Sequence, residues 1–271
     1  MKFTAVIDDS KSVEAVKNAM AIASKYSTST KFTILLTSSG WSFICAVPVQ
    51  SGHYIELKLG EKEVFSKFNF EGHSEKMDFI VFSISRIHFA QLFQQNSHVI
   101  KFKLCTRHKS PHLSVDLKTI GISSLIPVNF LFEFGEDYIA PTIKEDCLAI
   151  CATPLPTVIK TLSALSQLKI DEIYLSMYQA GKIKFSADSD HSTYKLILSD
   201  LEILDESTLQ EDIRSARFDL RMLQQFFTSL PQDEEKFFMR MSADGLLQIL
   251  FKYKYVTTSL VTRCHREIEE D

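Results

Sequence analysis

The chain has 271 residues, and 30 Lys and Arg against 34 Asp and Glu give a formal net charge of −4. Hydrophobic residues make up 45% and charged residues 24%, which excludes an intrinsically disordered chain. Only 8 Gly and 7 Pro exclude collagen-like and linker-rich sequences. At ~150 residues per domain, the length suits one or two domains, each large enough for its own core. The 21 Phe against a single Trp are a strand-favouring, core-building composition.

The chain opens MKFTAVIDDS. Asp8 and Asp9 interrupt the apolar run too early for a signal-peptide core of about 7–15 residues. After this short strand, the cap candidates Asp9 and Ser10 precede Val13, Val16, Met20 and Ala23 at helical spacing. A turn falls near Gly40. A second apolar strand begins near Asp78, and Ser85 can cap a short helix carrying Phe89, Leu92 and Phe93. The alternating run Lys101–Leu104 follows, with a turn near Pro111. Residues 133–146 (EFGEDYIAPTIKED) contain Gly135, Pro141 and five acidic residues and read as a connector. Beyond it a third strand starts at Cys147, and Pro156 suits the first turn of a helix with Val158, Leu162 and Leu165. Ile173–Met177 and Lys182–Ala187 flank a turn at Ala180-Gly181. A fourth strand begins near Arg214. Asp219 can then cap a helix with Leu220, Leu223, Phe227 and Leu230, and Pro231 stops it. Phe237–Met241 and Leu246–Tyr253 flank a last turn at Asp244-Gly245.

The order of these elements is a repeat. Strand, helix and a hairpin-like pair of strands recur four times, starting near residues 2, 78, 147 and 214. That period exceeds the ~20–50 residues of common solenoids. Four such units pair into two domains, 1–132 and 147–271, joined by 133–146. Mostly antiparallel sheets with helices confined to one side make this an α+β architecture. The most apolar long stretch, residues 125–134, contains Pro127, Asn129 and Glu133, and no segment approaches the ~20 apolar residues of a spanning helix. A soluble, intracellular protein without a membrane partner is expected. Five Cys, at 45, 105, 147, 151 and 264, are odd in number and sparse, so no disulfide framework is expected.

Chemistry-bearing motifs are few. Gly181-Lys182 lacks both the earlier Gly and the following Ser/Thr of a phosphate loop, and the Gly residues are too dispersed for a dinucleotide fingerprint. Cys105, His108 and His112 are zinc-type ligands without a fourth nearby, and a polar turn is the simpler reading. Cys147 and Cys151 on one strand lie ~13 Å apart, too far to share a metal or a disulfide. Asp188, Asp190, His191 and Ser192 could be read as a hydrolase cluster, but they lie between two strand-like runs, where a solvated turn is the default. No enzyme, metal or cofactor is expected. The helices carry Lys11, Lys17, Lys25, Arg86, Lys160 and Arg221, with Glu14 as their only carboxylate. This charge fits an ordinary solvated face and equally a basic surface for nucleic-acid phosphates.

Several segments resemble one known family, the Hus subunit of the checkpoint sliding clamp (the nine-one-one complex). The start Met1-Lys2-Phe3, followed by strand and helix, is similar to it. So are KFKLCTRHKSPHLSVDL at Lys101–Leu117, Ile126-Pro127-Val128, LPTVIKT from Leu155, and FDLR with LQQF from Phe218 and Leu223. The resemblance is collinear over most of the chain, and departs from it at residues 58–72, at the acidic loop 205–212 and in the tail from Arg263. It implies a two-domain DNA sliding-clamp (PCNA-like) fold, with antiparallel sheets outside and four helices on the inner, DNA-facing side. It further implies a nuclear heterotrimer with two related Rad-type subunits. A clamp loader would place this ring on double-stranded DNA without sequence preference, as a platform for repair and checkpoint proteins. Related clamps dock partner peptides near the connector, where Phe132, Phe134, Tyr138, Ile139 and Ile143 offer apolar anchors. They would alternatively pin the connector to its own domains. The rival functions are a self-sufficient processivity factor of the same fold, monomeric or homotrimeric, and a hydrolase using Asp188, Asp190 and His191.

Overall fold

The computed structural model describes residues 1–26, 29–74, 77–95, 97–132, 137–143, 146–189, 191–231 and 236–265. Its elements repeat four times in the order strand, helix, strands. The first set is β1 (Lys2–Ile7), α1 (Ser10–Tyr26), β2 (Lys31–Thr37), β3 (Gly40–Ala46), α2 (Pro48–Ser51), β4 (His53–Gly60), α3 (Glu61–Val64) and β5 (Lys67–Glu71). The second is β6 (Phe79–Ser85), α4 (Arg86–Phe93), β7 (Ile100–Arg107), β8 (Ser110–Leu117) and β9 (Ile122–Phe130). The third is β10 (Cys147–Ala152), α5 (Leu155–Gln167), β11 (Glu172–Tyr178), β12 (Lys182–Ser189), β13 (Ser192–Leu198) and β14 (Glu202–Ile203). The fourth is β15 (Ile213–Asp219), α6 (Leu220–Ser229), β16 (Phe237–Ser242), β17 (Leu246–Tyr253) and β18 (Val256–Arg263). The single-turn helices α2 and α3 are additions to the expected four, because one turn is too short to show a period.

Local chemistry sets the four long helices. The Asp9 carboxylate accepts from the backbone N–H of Lys11 at 2.8 Å and of Ser12 at 2.9 Å, satisfying donors that the first turn leaves unpaired. Ser85 accepts from the His88 N–H, and Asp219 from the Met222 N–H at 2.8 Å. In α5 a proline occupies the first turn, where a missing N–H costs nothing. Each helix buries one stripe: Val13, Val16, Met20 and Ala23 on α1, Phe89, Leu92 and Phe93 on α4, Val158, Leu162 and Leu165 on α5, and Leu220, Leu223 and Phe227 on α6.

The chain divides into two compact units. The first comprises Met1–Gln50, Ile55–Ala140 and Lys254–Thr258, the second Ser51–Tyr54, Pro141–Tyr253 and Ser259–Asp271. In the first unit the strands run β4-β3-β2-β6-β9-β8-β7-β1-β5, with antiparallel pairings. This sheet curls, since Trp41 of β3 meets Phe3 of β1 at 5.9 Å and Phe102 of β7 at 5.1 Å between ring centroids. Phe89 of α4 packs 5.8 Å from the same indole, so the helix closes the core from one side. Burying each such ring contributes about 1.5–3 kcal/mol. In the second unit β14-β10-β16-β17 continue into β18, and a four-stranded sheet runs β13-β12-β11-β15. There α5 packs on α6, whose Phe227 stands edge-on to Phe237 of β16 at 5.2 Å. Cys147 and Cys151 are both buried on β10.

Candidate nucleic-acid and partner interfaces

Burying one stripe of each helix leaves the opposite stripe to solvent, and that is where the basic residues fall. Lys11, Lys17 and Lys25 are exposed along α1, spread over ~21 Å at 1.5 Å per residue. Arg86 is half-buried at the start of α4, the helix that packs beside α1. Lys160 and Arg221 are exposed on α5 and α6, which pack together in the second unit. Arg221 lies 3.1 Å from Asp171, but both side chains are more than 70% exposed, so the pair is weak and easily exchanged. Glu14 is the only carboxylate in the four helices. Lys254 pairs with it at 3.0 Å and holds its carboxyl below the ordinary value, through the hydrogen bond first and charge second. On α5 and α6 the remaining exposed positions are neutral: Thr157, Ala164 and Gln167 on α5, Gln225 and Thr228 on α6. A surface of spaced cations and small polar groups can meet phosphates through solvent and carries no base-reading code.

The connector residues divide. The Phe132 ring stacks on Phe130 at 4.8 Å and on His73 at 4.3 Å, so it is tied into its own unit. Phe134 lies outside the described residues. Tyr138 lines a cavity of about 200 Å³ with Phe43, Ile44, Cys45 and Val47. Burial pushes the Tyr138 phenol above its usual range, with the Asp137 charge adding to this, and burial alone pushes the Cys45 thiol up. Ile139 is 46% exposed. Ile143 is half-buried and belongs to the second unit. The cavity walls on β3 have no signature in the sequence, because Phe43, Ile44 and Cys45 are consecutive apolar residues among which core and pocket positions look alike.

Among the strands with an unpaired edge are β13 and the first half of β9. β13 ends its sheet and pairs only with β12. The first half of β9 pairs with β8 alone, and β6 joins only at 128–130. Exposed Ile197 lies on the first edge and Ile122 and Leu125 on the second. Beside β9 a groove of about 410 Å³ is lined by His88, Leu92, Ile122, Leu125 and Pro127. Such edges pair readily with another chain.

Among the described residues no three His, Cys, Asp or Glu side chains converge as metal ligands. Cys105 faces His112 across β7 and β8, while His108 sits at the hairpin tip. Asp188 pairs in register with Thr193, and both it and His191 are exposed at the β12–β13 tip. Asp190 lies outside the described residues. No described helix is long and apolar enough to cross a membrane.

The family model described as Hus1-like protein matches residues 1–262. No curated protein sequence matches the chain significantly. Among solved structures, the crystal structure of Proliferating Cellular Nuclear Antigen from Entamoeba histolytica is similar, with a TM-score of 0.67 and 14% identity, over 97% of this chain and 99% of that one. At that identity the likeness is one of fold.

Proposed function

The chain belongs to the Hus1-like family, a subunit family of the ring-shaped checkpoint clamp, and we propose how its surfaces divide that work. Domains 1–132 and 147–271, joined by the connector 133–146, each contribute two helices to the lining of the ring. Lys11, Lys17, Lys25, Arg86, Lys160 and Arg221 face the phosphates of double-stranded DNA, without sequence preference. The β9 and β13 edges join two related Rad-type subunits. The connector region, through Tyr138, Ile139 and Ile143 together with Phe132 and Phe134, receives repair and checkpoint proteins. A clamp loader opens and closes the ring in the nucleus, and the subunit has no turnover of its own.

The observation that carries this reading is the charge sorting on the helices. In a chain of net charge −4 the four helices hold one carboxylate, and Lys254 neutralises it. Sorting cations onto one surface gives a local positive field while the rest stays acidic. A ring holds DNA by topology more than by affinity, so single charges matter little. The test is retention on circular against linear DNA, over a salt series, with the trimer assembled by its loader. Lys25→Ala alone is expected to change retention slightly. Neutralising Lys11, Lys17, Lys25 and Lys160 together is expected to shorten retention, with the trimer intact. It should also flatten the salt dependence, by about 0.9 in log–log slope for each phosphate no longer neutralised. An unchanged quadruple variant would mean that these residues do not line the channel, and a monodisperse homotrimer of the chain alone would favour the processivity factor.

A further inference from the structure

A second cluster of cations lies on the opposite face of the first unit. In β7, Ile100 and Phe102 point into the core that α1 and α4 cover. The alternate residues Lys101, Lys103 and Arg107 therefore point away from the helices. The strand register sets Lys101 beside Val6 of β1, and Val6 beside Lys67 of β5, so three lysines share one patch of sheet. Among the described residues this face carries two carboxylates, Glu71 and Asp116, the latter opposite Lys101 in the strand register, and each has a cationic partner of its own. Glu71 pairs with Lys2 at 2.8 Å and with the N-terminus at 3.6 Å, while Asp116 pairs with Lys118 at 3.5 Å and accepts from Ser123. Lys67, Lys101, Lys103, Arg107 and Lys109 make no ion pair among the described residues.

The tip of the same hairpin breaks a pattern. In the third and fourth repeats the residue before the returning strand is Gly181 (φ 66°) or Gly245 (φ 77°). Glycine is the natural choice for that left-handed backbone. In the second repeat the corresponding residue is Lys109 (φ 65°), preceded by His108 (φ 49°). Two cation-forming side chains thus occupy left-handed positions that Asn-Gly would fill with less strain. β1 pairs with β7 only over Ile100–Lys103, so the tip projects past its neighbour.

We infer that Lys67, Lys101, Lys103, Arg107 and Lys109 form a second contact for the DNA phosphate backbone, on the sheet face opposite the helices. The composition selects DNA over a protein segment. Lysine is depleted at protein interfaces, which centre on aromatic or long apolar anchors. Thr4, Val6, Asn69 and Cys105, the side chains between these cations, offer none. A duplex threaded through the ring is held at high local concentration, so a few cations suffice for its flanking segment to engage this face. That step rests on the clamp reading; the charge cluster itself does not.

The test is binding of a short linear duplex to the assembled clamp over a salt series. Three versions are compared: Lys67→Gln/Lys101→Gln/Lys103→Gln, the exposed tip variant Arg107→Gln/Lys109→Gln, and the parent, each also in the helix-face quadruple background. The log–log slope is expected to fall in magnitude by about 2.7 for the triple variant and about 1.8 for the tip variant, at about 0.9 per phosphate neutralised. Topological retention on circles at high salt is expected to stay at the parental level. Unchanged slope and affinity in the tip variant overturn the inference, and that variant decides even if the triple variant fails to assemble. Capture of poly-glutamate with unaltered duplex binding also overturns it, in favour of an acidic protein segment. Should circular retention fail in the parent, the clamp reading falls, while the linear-duplex slopes still decide this one.

Discussion

Asp9 shows how one side chain sets a helix. Its carboxylate takes two backbone N–H donors and the Ser12 hydroxyl, and the Ser12 hydrogen bonds hold it below its ordinary value. Asp9→Ala is expected to cost about 1 kcal/mol at neutral pH, read as a shift in the urea midpoint. Because the folded carboxyl is the stronger acid, this contribution is present above the unfolded value of 3.8 and is lost as pH falls through the folded one. The gap between parent and variant should therefore close in strong acid. His53 acts in a different window. Burial lowers its imidazole below 6.5, so on acidification the unfolded chain takes up the proton first. Stability should decline as pH falls below 6.5, and His53→Gln should remove that part of the decline. A parent whose midpoint stays flat between pH 7 and 5, with His53→Gln equally flat, would show that His53 is not held neutral.

Elements were legible where their signals are local. Asp9, Ser85, Pro156 and Asp219 mark helix starts within three residues of the groups they serve, and apolar spacing gives the buried stripes. The hairpins were legible from alternation and turn residues. Pairings between distant segments were not: β2 joins β6, and β1 lies between β5 and β7, arrangements that no local pattern encodes. The same limit hid the cavity, whose walls at Cys45 and Tyr138 come from different segments, and the Glu14–Lys254 pair, 240 residues apart in sequence. The β7–β8 turn gives a prediction of its own. Replacing His108-Lys109 by Asn-Gly relieves two left-handed non-glycine residues, so the double variant is expected to be more stable by about 1 kcal/mol. Thermal denaturation checks this, and a lowered midpoint would mean that the native side chains relieve the strain themselves.

For the whole molecule, the connector separates two kinds of contact. Phe132 is anchored by its stack on Phe130 and His73, whereas Tyr138 caps a cavity and Ile139 is exposed. Tyr138→Ala together with Ile143→Ala is expected to weaken stimulation of partner enzymes several-fold and leave the trimer assembled. Size-exclusion chromatography of the trimer, run beside the enzyme assay, checks both, and a dissociating trimer would make the connector a structural strap. The two compact units also trade pieces of chain: Ser51–Tyr54 belongs to the second and Lys254–Thr258 to the first, where Val256 joins its core. This exchange governs how the protein is made. At roughly 5–20 residues per second of synthesis, the 118 residues between Ala140 and Thr258 take about 6–24 s to append. Through that interval the N-terminal unit lacks Lys254–Thr258, and with it the Val256 side chain of its core. The first unit therefore receives Lys254–Thr258 only after most of the second has been made.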